Sequence, residues 1–158
     1  MRVTVLTVGH SNRSIEDFLT LLRSHDVVRL VDIRTVPKSR YNPQFNTDAL
    51  ARSLADAGIE YVHMAALGGL RHPKKGSINS AWRNDSFRGY ADYMQTNEFG
   101  AAIEQLIQLA AGKRTVIMCA ESVPWRCHRS LVADALVMCA RCYVQGKAGY
   151  CGIFQQIY

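Results

Sequence analysis

Thr115-Val-Ile-Met-Cys119-Ala-Glu121-Ser-Val-Pro124-Trp-Arg126-Cys127-His128-Arg129-Ser130 decides how the rest of the chain is read. Thr115 to Met118 is a short apolar run rich in β-branched residues, the pattern of a strand covered on both faces. Pro124 forbids simple continuation of that strand. From Cys127 onward, Leu131, Val132, Ala135, Leu136 and Val137 recur at helical spacing, which predicts a helix to about Cys139. Two cysteines, a glutamate, a histidine and two arginines thus crowd the hand-over from a strand to a helix N-terminus. Free backbone N–H groups and the helix dipole favour anions at such a place and lower the pKa of a nearby thiol. This is a poor way to build a core and a good way to build a site.

Working outward, Val3 to Val8 alternates and is β-branched, predicting a first strand that ends in Gly9-His10-Ser11-Asn12-Arg13. Ser14-Ile-Glu-Asp17 resembles a capping box, and Phe18, Leu21 and Leu22 give the helix after it an apolar face to about His25. Val27 to Ile33 reads as the second strand, with Asp32 and Arg34 at its end. The loop from Thr35 to Asn46 follows, and Asn46 or Thr47 caps a helix stopped by Gly58. Ile59 to His63 is the third predicted strand. Leu67 to Arg88 is irregular and carries five basic residues; Gly89 to Met94 and Asn97 to Ala111 read as helices. Strands alternating with helices predict an α/β fold. It is a single-domain three-layer sandwich, a mainly parallel sheet of four to five strands with helices on both faces. Ligands in such sheets bind beyond the carboxyl ends of the strands, where all the unusual residues here fall. His10, Arg34, His63, Cys119 and Glu121 are therefore expected to line one pocket.

Composition sets outer bounds. The 158 residues are 48% hydrophobic, enough for one domain spanning 1–158 with a sizeable core. No run approaches a membrane span and no charged-then-apolar leader opens the chain, so a cytoplasmic location is expected, with five cysteines as thiols. The net charge of +6 is localised. Segments 34–45, 68–88 and 119–129 hold ten of the nineteen Lys and Arg residues but only two of the thirteen acids, Asp85 and Glu121. Local positive charge of that kind attracts anions.

The assembled residues resemble the domain-of-unknown-function 488 family of bacterial and archaeal proteins. The pieces are Thr7-Val-Gly9-His10-Ser11-Asn12-Arg13, Val31-Asp32-Ile-Arg34 with Pro37 and Ser39, and Asn42-Pro43-Gln-Phe45-Asn46. They continue with Leu67-Gly68-Gly69, Trp82-Arg83-Asn84, Phe87-Arg88-Gly89-Tyr90, and Met118-Cys119-Ala-Glu121 with Pro124-Trp125-Arg126-Cys127-His128-Arg129. The register covers roughly residues 3 to 138. The resemblance implies a cytoplasmic α/β domain and hands over no reaction. It also leads one to expect a final strand completing the sheet. Instead 139–158 is rich in Gly and Cys, and Tyr143-Val144 reads as a vestige of that strand.

Each polar residue has two readings. Cys119, on a buried strand, is a small hydrophobe, or the Cys119/Cys127 pair has a nucleophilic or redox role or ligates a metal together with His128. Cys127, at a helix start between Arg126 and Arg129 and beside His128, is placed to be a thiolate. Glu121 is an acid–base group or a partner for those arginines, while Asp32 and Arg34 suit a structural ion pair. His10 and His63 close strands and serve either as caps or in catalysis. Arg13, Arg34, Arg40, Arg83, Arg88, Arg126 and Arg129 outnumber the nearby acids, so with His10, Asn12 and His63 they are candidates to hold phosphate or another anion. Catalysis is assigned to Cys119, Glu121, Cys127 and His128. The C-x7-C-H spacing is no standard zinc signature, so no metal or cofactor is assigned, and Cys139-x-x-Cys142 reads as chance. Trp82, Phe87, Trp125, Tyr41 and Phe45 interleave with the arginines, where a base could stack. The expected enzyme takes a nucleotide, another phosphate-bearing small molecule or a nucleic-acid end. The rival from another class is a non-catalytic nucleic-acid-binding module using the same loops. No membrane partner is expected.

Overall fold

The computed structural model of the chain describes residues 2–145 and 151–157. Five strands form one parallel sheet: β1 (Arg2–Gly9), β2 (Arg29–Asp32), β3 (Glu60–His63), β4 (Thr115–Cys119) and β5 (Cys151–Gln156), in the order β3-β2-β4-β1-β5. Five helices connect them: α1 (Ile15–Ser24), α2 (Thr47–Asp56), α3 (Asp85–Met94), α4 (Asn97–Ala110) and α5 (Arg129–Gln145). The architecture is the α/β sandwich predicted from the alternation.

Strand side chains alternate between two apolar layers, as a period of two demands. Leu6, Val8, Leu30, Val116 and Met118 pack on one face with Phe18 and Leu22 of α1 and Leu50 and Leu54 of α2. Val3, Val5, Val31, Ile33, Ile117 and Cys119 pack on the other. There they meet Tyr90 and Tyr93 of α3, Phe99, Ile103 and Leu106 of α4, and Leu131, Val132 and Leu136 of α5. Fully burying one aliphatic or Phe side chain contributes roughly 1.5–3 kcal/mol, so both layers are needed to hold the sheet.

This segregation positions the site. From β1 the chain leaves toward α1 on one face, while from the neighbouring β4 it leaves toward α5 on the other. A crevice opens beyond the carboxyl ends of two strands whose connections diverge in this way. The register sets Gly9 beside Cys119, at the lip of that crevice.

Three departures from the sequence reading bear on the fold. Helix α3 begins at Asp85, four residues before the predicted Gly89, because the Asn84 side chain accepts hydrogen bonds from the Ser86 and Phe87 backbone N–H groups. Helix α5 runs past Cys139 to Gln145, so Tyr143 and Val144 are helical rather than the vestige of a strand. The strand that completes the sheet is β5, which comes after Gly146 and Gly149, includes Gly152, and pairs with β1 over Arg2–Thr7. Cys139 is a free thiol, and the side chain of Cys142 lies outside the described residues.

The long loop before α3 is organised by one carboxylate that periodicity does not reveal. Asp92 is buried on α3 and accepts from the Lys74 backbone N–H at 2.7 Å, Ser77 Oγ at 2.6 Å and Asn79 Nδ2 at 2.7 Å. These donors hold its carboxyl below the ordinary carboxylate range. Asp92→Ala would strand three donors together. We expect residues 70–84 of that variant to be cleaved by trypsin, at Lys74 and Lys75, at protease levels that leave the wild type intact, with the sheet unchanged by circular dichroism.

Candidate functional site

Beyond the carboxyl ends of β1, β2 and β4 lies a cleft of about 760 Å³. Its lining includes His10, Asn12, Arg34, Cys119, Glu121, Arg126, Cys127 and His128, so eight of the residues singled out from the sequence converge there. Two glycines shape its walls. A Cβ on Gly9 would lie 1.9 Å from the Glu121 carbonyl oxygen, so only glycine lets the loop after β4 cross the end of β1. A Cβ on Gly69 would lie 2.4 Å from His128 Nδ1, so the bare backbone of that loop forms a wall against the imidazole.

At the floor sit two sulfurs and a ring nitrogen. Cys127 Sγ is 3.7 Å and Cys119 Sγ 4.0 Å from His128 Nδ1. His128 Nε2 lies 3.1 Å from the Ile33 carbonyl oxygen, which can only accept, so Nε2 carries the proton and Nδ1 faces the sulfurs as an acceptor when the ring is neutral. Both cysteines are buried and free. They are tied to each other: the Cys119 thiol donates to Cys127, which pulls the Cys127 pKa well below the ordinary thiol value. The Arg129 backbone N–H at the helix start acts in the same direction. The same pairing, with burial, raises the Cys119 pKa. The pairing favours the thiolate at Cys127 and the thiol at Cys119. The three atoms lie within 4.8 Å of one another, and they are the donors here suited to a soft metal ion.

The arginines are disposed differently from the sequence expectation. Arg34 is buried and forks onto Asp32, with Nε 2.8 Å from Oδ1 and Nη2 2.5 Å from Oδ2, while Nη2 also donates to the Phe45 carbonyl at 2.8 Å. Arg129, 1% exposed, donates to Thr7 Oγ1 at 2.7 Å and to the Glu121 carbonyl at 2.6 Å. It clamps the loop after β4 to β1. Arg13 turns back to donate to the Gly9 carbonyl at 2.6 Å. Arg88 donates to the Trp82 carbonyl and pairs with Asp85, beside a separate hollow of about 480 Å³. Arg40 and Arg83 are exposed and do not line the cleft. Among the described residues the cationic side chains that line it are Arg34, Lys38 and Arg126.

Two other candidates take supporting positions. His63 is exposed on β3 and bonds through Nε2 to the Arg34 carbonyl at 2.8 Å, outside the cleft lining. The expected five-residue pocket therefore contains four of its members. Glu121 lines the cleft, but its Oε1 accepts from the Val123 N–H at 3.0 Å, which shapes its own loop. Sequence reasoning missed the roles of Tyr90, whose ring lies 5.2 Å from that of His128, and of the polar wall formed by Lys38, Ser39 and Asn42. The Gly68-Gly69 pair was the visible signal for the backbone wall.

The chain matches the family defined as "Domain of unknown function DUF488" over residues 14–136. It belongs to the DUF488 family. Within this DUF488 chain the match takes in Arg34, the Gly68-Gly69 wall and the Cys119–Arg129 loop, and it starts just after the His10–Arg13 turn. No curated protein and no solved structure matches the chain. No helix among the described residues is long and apolar enough to cross a membrane.

His10 gives the site a pH limit. It is buried, stacks on Phe45 with ring centroids 4.2 Å apart, and hydrogen-bonds through Nδ1 to the Ser11 carbonyl at 2.7 Å. That contact assigns the proton to Nδ1 and leaves Nε2 to accept from Arg34 Nη1 at 3.3 Å. Burial, seconded by Arg34, lowers its pKa from 6.5 to about 4. The unfolded chain therefore takes up this proton first as pH falls. The contribution of neutral His10 to stability is whole above pH 6.5 and is lost between there and pH 4. The loss is on the order of 3 kcal/mol. Urea midpoints measured across this range should fall in the wild type, with a shallower slope in His10→Phe.

Proposed function

We propose that this DUF488 chain is a cysteine-dependent enzyme, a hydrolase or transferase, whose cleft takes a small substrate bearing phosphate or another anion. The observation that carries this reading is the convergence of Cys127 Sγ, Cys119 Sγ and His128 Nδ1 within 4.8 Å on the floor of an open cleft. A thiolate is the nucleophilic form of cysteine, and the neighbouring Cys119 thiol favours that form at Cys127. Cys127 Sγ would give its electron pair to the electrophilic atom. The leaving group would depart with the proton of the Cys119 thiol, relayed through His128 Nδ1, and the incoming water or acceptor would return a proton to Cys119 by the same route. Water or an acceptor would then displace the sulfur and restore the thiolate. Lys38, Arg126 and the hydroxyl and amide groups of Ser11, Asn12, Ser39 and Asn42 are placed to hold the anion. A reducing compartment such as the cytoplasm would keep both thiols free.

Iodoacetamide labelling in metal-free buffer, read site by site by mass spectrometry, tests the assignment. Cys127 should react at pH 6, where an ordinary thiol with a pKa of about 8.5 is almost fully protonated. Cys119 should be spared, and Cys119→Ser should move the Cys127 profile to higher pH. Labelling of Cys119 first, or of neither thiol below the ordinary range, would overturn the reading.

A second reading is supported by the surface around these loops. Tyr41 is 89% and Trp125 72% exposed, next in sequence to Arg40 and Arg126. Exposed aromatics alternating with arginines form stacking platforms for single-stranded nucleic acid. On that reading the chain binds a nucleic-acid segment with no chemistry. Affinity for a labelled oligonucleotide should then fall steeply with salt, by about 0.7 log units per log unit of salt for each phosphate neutralised. Trp125→Ala should weaken binding by about 1–3 kcal/mol. A flat salt response excludes it.

A further inference from the structure

The geometry at the floor of the cleft meets a second chemical requirement. Zinc binds thiolate sulfur at about 2.3 Å and imidazole nitrogen at about 2.0–2.1 Å, usually with tetrahedral angles. Those bond lengths place the ligands at edges of about 3.6 Å between sulfur and nitrogen and about 3.8 Å between sulfurs. Here the two sulfur–nitrogen separations are 3.7 and 4.0 Å, and all three donor atoms lie within 4.8 Å of one another. Both sulfur–nitrogen edges are already close to those of a zinc tetrahedron.

The surroundings suit it. A metal-binding imidazole usually donates its other N–H to a carbonyl or carboxylate, which fixes the tautomer and aims the free lone pair. His128 does this through Nε2 to Ile33 at 3.1 Å, and the bare backbone of Gly69 backs the ring at Nδ1. Backbone N–H groups of Ala120 and Glu121 point at Cys119 and that of Arg129 at Cys127, an arrangement that steadies sulfur charge. No other Cys, His, Asp or Glu among the described residues joins the three.

We infer that Cys119, Cys127 and His128 form a three-ligand site for a soft divalent cation, zinc being the type, with the fourth ligand supplied from the cleft. Thiolate and imidazole donors select such a cation over magnesium or calcium. The inference goes beyond the cysteine reading, because the sulfur that attacks an electrophile is one of the two that bind the ion. A chain loaded with zinc is closed to electrophiles at Cys127, and one without it is open.

The test uses the full chain, stripped with a chelator and desalted, then titrated with zinc chloride against a chromophoric competitor. Cobalt(II) is titrated in parallel. One zinc per chain is expected, and cobalt should give thiolate charge-transfer bands with a tetrahedral visible spectrum. Cys119→Ser, Cys127→Ser and His128→Ala should each weaken zinc by more than about 100-fold, and Gly69→Ala, which displaces the ring, by about 10- to 100-fold. Zinc, but not magnesium, should slow iodoacetamide labelling of Cys127. Absence of zinc binding by the wild type, a cobalt spectrum without thiolate bands, or unchanged affinity in Cys127→Ser would overturn the site. The wild-type spectrum decides even where a variant fails to fold. The two readings separate cleanly. Cys127 labelling without zinc binding removes the metal site alone. Zinc binding with an unreactive metal-free Cys127 removes the nucleophile alone.

Discussion

The buried pair of Asp32 and Arg34 is the interaction on which the site depends. Asp32 is fully buried at the end of β2, and it is held by Arg34 from two directions and by Tyr61 Oη at 2.9 Å. Arg34 passes the restraint on to the Phe45 carbonyl, to His10 and, through its own carbonyl, to His63. Four separate segments are thereby fixed at one sheet edge. Burying two charges is costly, and removing one partner of such a pair typically costs about 3–5 kcal/mol. A hydrophobic pair of similar volume would be cheaper to bury. It would not set the direction of the backbone at Ile33, whose carbonyl orients His128.

Opposite it, Arg129 plays the matching part for the loop after β4. Its guanidinium spans from Thr7 on β1 to the Glu121 carbonyl, so the loop carrying Cys119 and Glu121 is pinned to the neighbouring strand. Two buried arginines thus act as framework, and the charge they bring is spent on protein oxygens. What remains for a ligand is a cleft with two sulfurs and an imidazole at its floor and Lys38 and Arg126 among its wall residues. Polar atoms this deep are tolerable because nearly all are matched, down to backbone N–H groups aimed at the sulfurs.

The residues that carried the sequence reading fared differently for reasons that can be named. The alternation of apolar residues in Val3–Val8 and Thr115–Met118 and the helical stripes Phe18/Leu22, Leu50/Leu54 and Ile103/Leu106 all reappear as core, since periodicity reports burial directly. The Cys119 to His128 cluster was legible because a strand, a proline turn and a helix start leave little freedom over so short a span. Counting arginines against acids was a weaker guide. A guanidinium carries five donors, and Arg13, Arg88 and Arg129 direct theirs to carbonyl oxygens that no tally of side-chain charge includes. Asp92 escaped notice for the same reason, since its partners lie 13 to 18 residues away in an irregular loop.

By itself, the sequence determined the parallel α/β arrangement, the edge of the sheet at which the cleft opens, and the placing of two cysteines and a histidine at that edge. These follow from local spacing, because strand and helix periods and the turn between them are properties of neighbouring residues. Which arginines line the cleft, which sulfurs lie beside the imidazole, and how far apart sulfur and nitrogen stand were decided only in the tertiary structure. Each depends on contacts between segments far apart in the chain: Ile33 with His128, Gly69 with the same ring, Thr7 with Arg129. Hydrogen bonds and electrostatic shifts act over a few ångströms in space, and spacing along a sequence does not measure that distance.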